Sequence, residues 1–465
     1  MPMPSLLRLM SLPFRSGPAA TAAPCTGADK LSRAAKVGLA VLALFYLGLG
    51  VTTVLRSAFL SSPKTDFQVY ARAAWAVRVS EDLYAVTDNN GWHYIYPPPF
   101  AILLAPLADP YPFLSHRGYL PFWASAAIWY VISVLCVIYS VHAFASAALP
   151  DAIRGSRRWW SARIVPTFFA SSGIVLTISR GQVNTVVIAL VAAGFAATVR
   201  GRRGLGGAWL ACAAVLKIIP GMLVLFPLCR RDWRGAIGGI AAAALLLFAL
   251  PAAVWGVPAA IDANRRTIAL VLAPVVSQDA DHSRMRELHG ANSTHSQSVQ
   301  AAIHTWMYPD RGSRPDVVAP IAQWAHVLSS AAMLAITLLA ARNRLTANPI
   351  DQLLFLGCLC ALMMLITPIS HLHYYAMVLP LVSGLWLRHL SEGGSRRTVA
   401  MLTAWGIITA IPAIPEPHFE WLREAGFGTL ATIGLWAYAL RLMGTSRFKT
   451  NHRGTETQKN SEYEN

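Results

Sequence analysis

The chain has few charged residues, and its cysteines are not arranged for cross-linking or for metal binding. Asp, Glu, Lys and Arg make up 13% of the 465 residues, and there are six cysteines. Five of these lie in or beside apolar runs, where cysteine behaves as a small hydrophobe. No CxxC pair and no Cys/His spacing typical of zinc sites occurs. We therefore expect no disulfide framework, no metal site and no cofactor.

Acidic residues are scarce relative to basic ones, and the formal net charge is +17. Such a charge could indicate nucleic-acid binding, but the basic residues cluster in short loops between apolar runs, as the positive-inside rule describes. We therefore expect no nucleic-acid partner. We also predict no cleaved signal peptide, because the apolar run that begins at Ala35 is too long for a signal h-region.

Apolar sequence is abundant. Hydrophobic residues make up 55% of the chain and the mean hydropathy is +0.45. Several runs approach the roughly 20 residues that cross a bilayer. The charges at their ends predict about ten full crossings and one or two partial ones. The expected fold is thus all-α, a polytopic membrane bundle of about 10–12 transmembrane or re-entrant helices.

The predicted organisation is one membrane domain between two tails. Lys30, Arg33 and Lys36 precede the first apolar run and place the N-terminus in the cytoplasm. We expect a cytoplasmic tail over 1–34, a membrane domain over 35–445 and a disordered cytoplasmic tail over 446–465. Residues 256–316 are predicted to be the one long polar loop. The run that contains Lys217 has basic loops at both ends, which predicts a hairpin with Lys217 to Pro220 near its tip.

The segment from Thr65 to Ala108 carries the most chemistry. Asp66 stands where the first membrane helix ends, and residues 66–80 have the apolar spacing of an interfacial amphipathic helix. Asp66 is either a helix cap or a catalytic carboxylate, and these two roles are compatible. Dense proline after residue 96 prevents a regular spanning helix, so the segment is predicted to be broken or re-entrant and to border a cavity. Its predicted cavity wall is Tyr94, Tyr96, Pro97 and Pro98, although both tyrosines also suit an aromatic belt.

Three further polar clusters interrupt apolar sequence. Arg180 is either a snorkelling interfacial residue or a ligand contact, whereas Gln182 and Asn184 need buried partners. Lys217 lies deep in an apolar stretch, so it needs a carboxylate or a lipid phosphate nearby. Ser370, His371 and His373 follow on the predicted Asp66 side, and His spacing of two residues does not suit a metal pair on a helix. We interpret the Asp279-Ala280-Asp281-His282 run as a solvated loop. The Asn292-Ser293-Thr294 sequon is interpreted as a chance match.

The order of these clusters resembles the membrane glycosyltransferases of the GT-C superfamily, specifically family 87. The matching positions are Asp66-Phe67, Tyr70, Ala73-Ala74, Leu83-Tyr84, Tyr96-Pro97-Pro98, Pro106-Leu107, Gly181-Gln182-x-Asn184, Lys217-x-x-Pro220, Arg230-Arg231-x-Trp233-Arg234, Gln297-Ser298 and Pro368-x-Ser370-x-x-His373-Tyr374. The chain departs from the family pattern at Ser296, where asparagine is usual, and at His371, where an aromatic residue is frequent.

The resemblance implies a GT-C fold and inverting transfer of a sugar, mannose in family 87, from a polyprenyl-phosphate donor. The acceptor is a hydroxyl of a glycolipid or glycan at the extracytoplasmic face of the cell membrane, and membrane lipids surround the protein. Asp66 is the implied general base, because such chemistry needs one base and help for the departing phosphate oxygen. The implied donor-binding residues are Arg180, Gln182, Asn184, Lys217, Ser370 and His373. The alternatives are a transporter or flippase for polyprenyl lipid or a small solute, and a membrane scaffold without chemistry.

Overall fold

The structure is a computed structural model. It describes residues 33–60, 65–110, 118–276, 281, 283–288, 296–315, 317–342, 348–414 and 419–443. Both predicted tails lie almost entirely outside these residues, as do the Asn292-Ser293-Thr294 sequon and all of the Asp279–His282 run except Asp281.

The first half of the described chain contains ten α-helices. Their bounds are α1 Arg33–Phe59, α2 Asp66–Val79, α3 Pro98–Leu103, α4 Phe122–Ala148, α5 Arg157–Phe169, α6 Ser171–Arg180, α7 Asn184–Val199, α8 Arg203–Leu216, α9 Leu225–Cys229 and α10 Trp233–Ala244. Short 3₁₀ turns cover Ala105–Leu107, Asp151–Ile153 and Ile219–Val224.

The second half is helical as well. Its helices are α11 Leu250–Trp255, α12 Val257–Thr267, α13 Ala273–Val276, α14 Ser283–Leu288, α15 Val299–Met307, α16 Pro320–Ala341, α17 Pro349–Leu365, α18 Leu379–Ser391, α19 Arg396–Ala410, α20 Glu420–Glu424 and α21 Phe427–Met443. Single π-turns join α10 to α11 and α12 to α13, and 3₁₀ turns cover Leu372–Val378 and Ile411–Ala413. The described residues contain no β-strand, which confirms the all-α prediction.

Among the described residues, four helical segments are long and apolar enough to cross a membrane: Lys36–Phe59, Phe122–Ala148, Trp233–Trp255 and Pro320–Ala341. The pair α5 and α6 passes the same test as one span bent by 67°. Other predicted crossings are shorter apolar helices, among them α7, α8 and α17. The chain is a multi-pass membrane protein, and a mixture of full and broken spans replaces the uniform crossings of a simple bundle.

Burial divides these helices into an inner and an outer set. Every residue of α17 from Ile350 to Leu365 is buried, as expected for a helix that is apolar on all sides. In contrast, only 11% of the spanning window of α1 is buried, and Leu44 and Leu47 are about two-thirds exposed. Large apolar side chains directed away from the protein fit contact with lipid chains.

The prediction of an interfacial amphipathic helix over residues 66–80 is correct for the helix but wrong for its surroundings. The helix forms, as α2, but all residues from Phe67 to Val77 are buried. Of its two arginines, Arg72 is only 2% exposed, and its Nε lies 3.6 Å from Asp109 Oδ2. The backbone N–H of Asp109 donates to the carbonyl of Ala71 at 3.1 Å. The returning proline segment therefore covers the polar face that the sequence pattern assigned to solvent.

The prediction of one long polar loop over residues 256–316 is also wrong in part. Residues 257–276 continue as one helical stretch through α12, a π-turn and α13. The helices α14 and α15 follow among the described residues. Gly256, with φ of +83°, separates this stretch from α11, since glycine tolerates the left-handed region without a steric cost.

The proline-rich segment is broken, as predicted. It contains the six-residue helix α3, which starts at Pro98, and the 3₁₀ turn Ala105–Leu107. Tyr94 supports the entry to α3: its hydroxyl donates to the carbonyl of Pro97 at 2.9 Å and accepts from the N–H of Ala101 at 3.1 Å. The backbone polar groups that the prolines expose thus find a partner inside the protein.

Candidate active site

Asp66 is the first residue of α2, and its carboxylate is directed to another part of the chain. The N-cap position belongs to Thr65, whose side chain makes no capping bond and donates instead to the carbonyl of Arg180 at 3.2 Å. One carboxylate oxygen of Asp66, Oδ2, accepts a hydrogen bond from Gln182 Nε2. A carboxylate in the first helical turn also benefits from the helix dipole. Asp66 is thus held by the Arg180–Gln182 turn rather than used as a cap.

Gln182 lies at the centre of a hydrogen-bond network. While its amide nitrogen donates to Asp66, its Oε1 is 3.1 Å from the Tyr70 hydroxyl, 3.4 Å from the Tyr96 hydroxyl and 3.4 Å from Lys217 Nζ. The two tyrosine hydroxyls are 3.1 Å apart. Gln182 is only 6% exposed, so its amide orientation is fixed by these partners.

Lys217 stands behind Gln182. Its Nζ lies 2.5 Å from Asn184 Oδ1 and 4.2 Å from the centre of the Tyr374 ring. Asn184 Nδ2 in turn donates to the carbonyl of His373 at 3.2 Å. The ammonium, 3% exposed, is therefore compensated by amide oxygens and an aromatic face. The sequence predicted either a carboxylate or a lipid phosphate near Lys217, and in the structure Gln182 links its ammonium to the carboxylate of Asp66.

A tight turn between α6 and α7 presents Arg180, Gln182 and Asn184 together. Gly181 has a φ of +67°, and a Cβ there would lie 2.8 Å from Phe67 Cβ. The carbonyl of Gly181 accepts from Trp129 Nε1 at 2.7 Å. Glycine therefore permits both the turn and the close approach to the start of α2.

These groups border a cavity of about 100 Å³. Among the residues predicted from sequence, the cavity is lined by Asp66, Tyr96, Arg180, Gln182 and His373. Asn184 and Lys217 support this wall from behind, as described above. Pro97 instead lines a neighbouring apolar cavity of about 460 Å³ between α8, α10 and α12. Tyr94 and Pro98 are buried and do not belong to the described lining of either cavity.

Ser370 is buried, and its backbone holds the second polar cluster in place. Its carbonyl accepts from the N–H of Gln297, and its N–H is 3.5 Å from Ser296 Oγ. Gln297 extends this link, because its Oε1 accepts from the Tyr375 hydroxyl at 2.9 Å and its carbonyl accepts from Thr429 at 2.7 Å. The matched Gln297-Ser298 pair therefore organises the site without bordering the cavity, and Ser298 caps α15.

His371 packs as an aromatic ring in the structure. Its ring stacks on His373 with 5.0 Å between centres and an angle of 13°. It also meets the Tyr374 ring edge-on at 5.7 Å. Both imidazoles line the cavity. The His371 ring thus contributes both ring stacking and polar nitrogen atoms to the cavity wall.

Burial raises the pKa of Asp66 above the ordinary range for aspartate. Arg180, the hydrogen bond from Gln182 and Lys217 oppose this effect, because each favours the ionised carboxylate. A raised pKa makes the ionised carboxylate a stronger base, which suits proton abstraction from a hydroxyl.

The sequence analysis missed several residues of the cavity, and four of them have polar or aromatic side chains: Trp92, His93, Arg284 and Glu287. Trp92 and His93 follow a turn in which Asp88 accepts from the N–H groups of Asn90 and Trp92 at 2.8 and 2.9 Å. Arg284 and Glu287 lie on α14, inside the region predicted as loop. Their spacing of three residues on a helix is the one signal that could have indicated a pair.

Fold and site together define a membrane protein in which a partly buried carboxylate shares one cavity with cationic and imidazole side chains, an arrangement suited to group transfer. The family model of Glycosyltransferase family 87 matches residues 94–368, more than half of the chain. The chain belongs to this family and is a glycosyltransferase, which decides against the transporter and scaffold alternatives.

Two similar proteins have assigned activities. A polyprenol-phosphate-mannose-dependent alpha-(1-2)-phosphatidylinositol mannoside mannosyltransferase of Mycolicibacterium smegmatis is 24% identical over 83% of this chain and 86% of its own length. An alpha-(1->3)-arabinofuranosyltransferase of Mycobacterium tuberculosis is 25% identical over 47% of each chain. Among solved structures, ArnT from Cupriavidus metallidurans bound to undecaprenyl phosphate gives a TM-score of 0.42 at 12% identity, over 89% of this chain and 78% of that one.

Proposed function

We propose that this protein is an inverting GT-C glycosyltransferase that transfers mannose from a polyprenyl-phosphate donor to an acceptor hydroxyl, with Asp66 as general base. The observation that carries the proposal is the orientation of Asp66. Its carboxylate is fixed by Gln182 and borders a cavity that Arg180 and His373 also line. A held base and positive or hydrogen-bonding groups around one cavity are the two requirements of this transfer.

The proposed step moves one proton and one glycosyl group. Asp66 takes the proton of the acceptor hydroxyl while that oxygen bonds to the anomeric carbon from the side opposite the phosphate. The bond from the anomeric carbon to the phosphate oxygen breaks, and the lipid phosphate leaves with the electron pair. Arg180 and His373 stabilise the departing oxygen. Lys217 acts less directly, since its contacts orient Gln182 and Asn184.

A lipid-linked donor is supported by the neighbouring apolar cavity. Its lining from α8, α10 and α12 is almost wholly apolar, with Asn264 and Thr267 as exceptions, and it reaches Pro97, next to Tyr96 of the polar cavity. A phosphate at Arg180 would thus have its hydrocarbon chain near an apolar surface. Mannose is supported by the activity of the relative from Mycolicibacterium smegmatis.

The experiment compares Asp66→Asn with wild type in purified form, using synthetic polyprenyl-phosphomannose and a mannoside acceptor. General-base catalysis contributes roughly 10²–10⁴-fold, so Asp66→Asn should lose at least 100-fold in kcat. The matched control is Asp262→Asn. Asp262 is exposed, does not line the cavity, and has an oxygen 2.9 Å from Arg266 Nε. Full transfer by Asp66→Asn at normal protein levels would refute the proposed base. Analysis of the product anomer by NMR tests inversion.

The extracytoplasmic position of the site is inferred from charge, because the loops rich in arginine occupy the alternate ends of the apolar runs. It is tested with a membrane-impermeant maleimide on intact cells, with unmodified protein as the background. Asp310→Cys should be labelled from outside, and Arg231→Cys only after lysis. Labelling of Arg231→Cys in intact cells, with protection of Asp310→Cys, would reverse the proposed orientation.

A further inference from the structure

Part of the cavity wall has no role in the proposed proton transfer or in binding the phosphate. It consists of Trp92 and His93, which follow the Asp88 turn, and of Arg284 and Glu287 on α14. We call these four residues the mouth cluster. Within it, the side chains of His93 and Glu287 are joined across 194 residues of sequence, so their proximity is a product of the tertiary fold.

Glu287 is the centre of the mouth cluster. Its carboxylate is 2.9 Å from His93 Nδ1, accepts from the N–H of His93 at 3.2 Å and accepts from Arg284 Nη1 at 3.0 Å. Arg284 is oriented further by a bond from Nη2 to the carbonyl of Tyr84 at 3.1 Å. Arg284 Nε is buried and has no hydrogen-bond partner among the described residues. One directional donor of Arg284 is thus left for a ligand.

The electrostatics of the mouth cluster differ from those around Gln182. Burial would raise the pKa of Glu287, but the bonds from His93 and Arg284 outweigh it and lower that pKa below its usual range. Glu287 is therefore an ionised acceptor whose charge is balanced by the Arg284 guanidinium. A balanced pair offers donors and acceptors without a net field, which suits neutral hydroxyl groups. A phosphate is better served by Arg180.

The mouth cluster is open to solvent. The side chains of His93 and Glu287 are 22% and 28% exposed. An incoming substrate can therefore reach these groups from outside the protein. Trp92 adds an aromatic surface to the same wall, and its face can cover the apolar C–H side of a sugar ring.

We propose that Trp92, His93, Arg284 and Glu287 form a subsite that binds the acceptor sugar through its hydroxyl groups. This inference rests on the proposed function, because it assigns the acceptor side of the same cavity. Glu287 accepts from one sugar hydroxyl and the Arg284 guanidinium donates to another.

The test measures binding separately from turnover. Methyl α-D-mannopyranoside is titrated into the purified full-length Asp66→Asn protein and followed by saturation-transfer NMR. Adding Glu287→Gln or Arg284→Lys should weaken binding roughly 10- to 100-fold, since each change removes a charge-assisted hydrogen bond. The control variant Arg311→Gln breaks an exposed ion pair with Glu420 and should bind like its parent. Two different variants are compared so that a folding defect in one of them does not decide the result. Arg284→Lys retains the positive charge and removes only the guanidinium geometry.

Monodeoxy mannosides separate direct contact from a merely structural role. The parent protein should bind one of these deoxy sugars more weakly, the one that lacks the hydroxyl bound by Glu287. Glu287→Gln should bind that deoxy sugar and the intact mannoside equally well, because the hydroxyl and its acceptor form one bond. Equal affinity of all variants for the mannoside, or equal losses for every deoxy sugar, would overturn the subsite. Failure of the proposed function would look different: Asp66→Asn would still transfer sugar, whatever the mouth cluster binds.

Discussion

Gln182→Met isolates the contribution of base positioning to catalysis. Methionine matches glutamine in length but cannot donate to Asp66 or accept from Tyr70. In the structure the donor bond to Asp66 is the contact that fixes the base, and Gln182 is almost fully buried. A hydrogen bond to a charged group contributes about 1.5–3 kcal/mol. At 1.36 kcal/mol for each factor of ten, this predicts a loss of roughly 10- to 150-fold in kcat.

The pH profile should change together with the rate. Asp66 must be ionised to act as a base, so activity falls as the pH drops through its pKa. The Gln182 bond lowers that pKa against the opposing effect of burial. Removing the bond therefore raises the pKa further, and the acid limb of the kcat profile moves to higher pH in Gln182→Met.

The assay uses purified protein with synthetic polyprenyl-phosphomannose at saturating acceptor, over a pH series, with thermal unfolding as the check on folding. The decisive comparison is Asp66→Asn with and without Gln182→Met. If Gln182 acts through Asp66, adding Gln182→Met to Asp66→Asn should lower kcat only slightly, because the carboxylate is already absent. Wild-type kcat in Gln182→Met, or the same fold loss in both backgrounds, would refute base positioning.

Three other changes have defined outcomes. Arg180→Gln should shift the acid limb upward as well, because Arg180 lowers the pKa of Asp66, and it should raise the donor KM; an unchanged pH profile would contradict this. Gly181→Ala should destabilise the protein by about 1–3 kcal/mol through strain at positive φ, and more than Gly201→Ala, which has similar φ but open space around its Cβ; thermal unfolding of both variants measures the contact with Phe67. Lys217→Met should lower kcat by no more than Gln182→Met does, because Lys217 acts through its contacts with Gln182 and Asn184. The variant should unfold within a few degrees of wild type, because losing a buried charge offsets its lost bonds; strong destabilisation would show a mainly structural role.

The linear sequence was sufficient for the elements that depend on local composition. Apolar runs of spanning length predict helices wherever they occur, since a bilayer leaves the backbone no other regular solution for a single segment. The broken segment at Pro97–Pro99 follows from the missing N–H groups of proline. Asp66 was identifiable as a candidate because an acid directly after a membrane helix has few ordinary explanations.

The same patterns were misleading where tertiary burial replaced solvent. Residues 66–80 have the apolar spacing of an interfacial helix, yet α2 is enclosed because Asp109 satisfies Arg72 inside the protein. Likewise, the polar composition of 256–316 indicated a loop, although α12, α14 and α15 form within it. Composition records how polar a residue is, but not whether water or another side chain satisfies it.

The sequence by itself determined that this protein is helical, that it crosses a membrane several times and which polar residues are exceptional in apolar surroundings. Only the tertiary structure decided which of them meet: Gln182 reaches Asp66 across 116 residues, and Glu287 reaches His93 across 194. Local sequence sets helix formation through backbone hydrogen bonding and hydrophobic transfer. The pairing of distant polar groups instead depends on how the helices pack, and that packing made one cavity of Asp66, Arg180 and the mouth cluster.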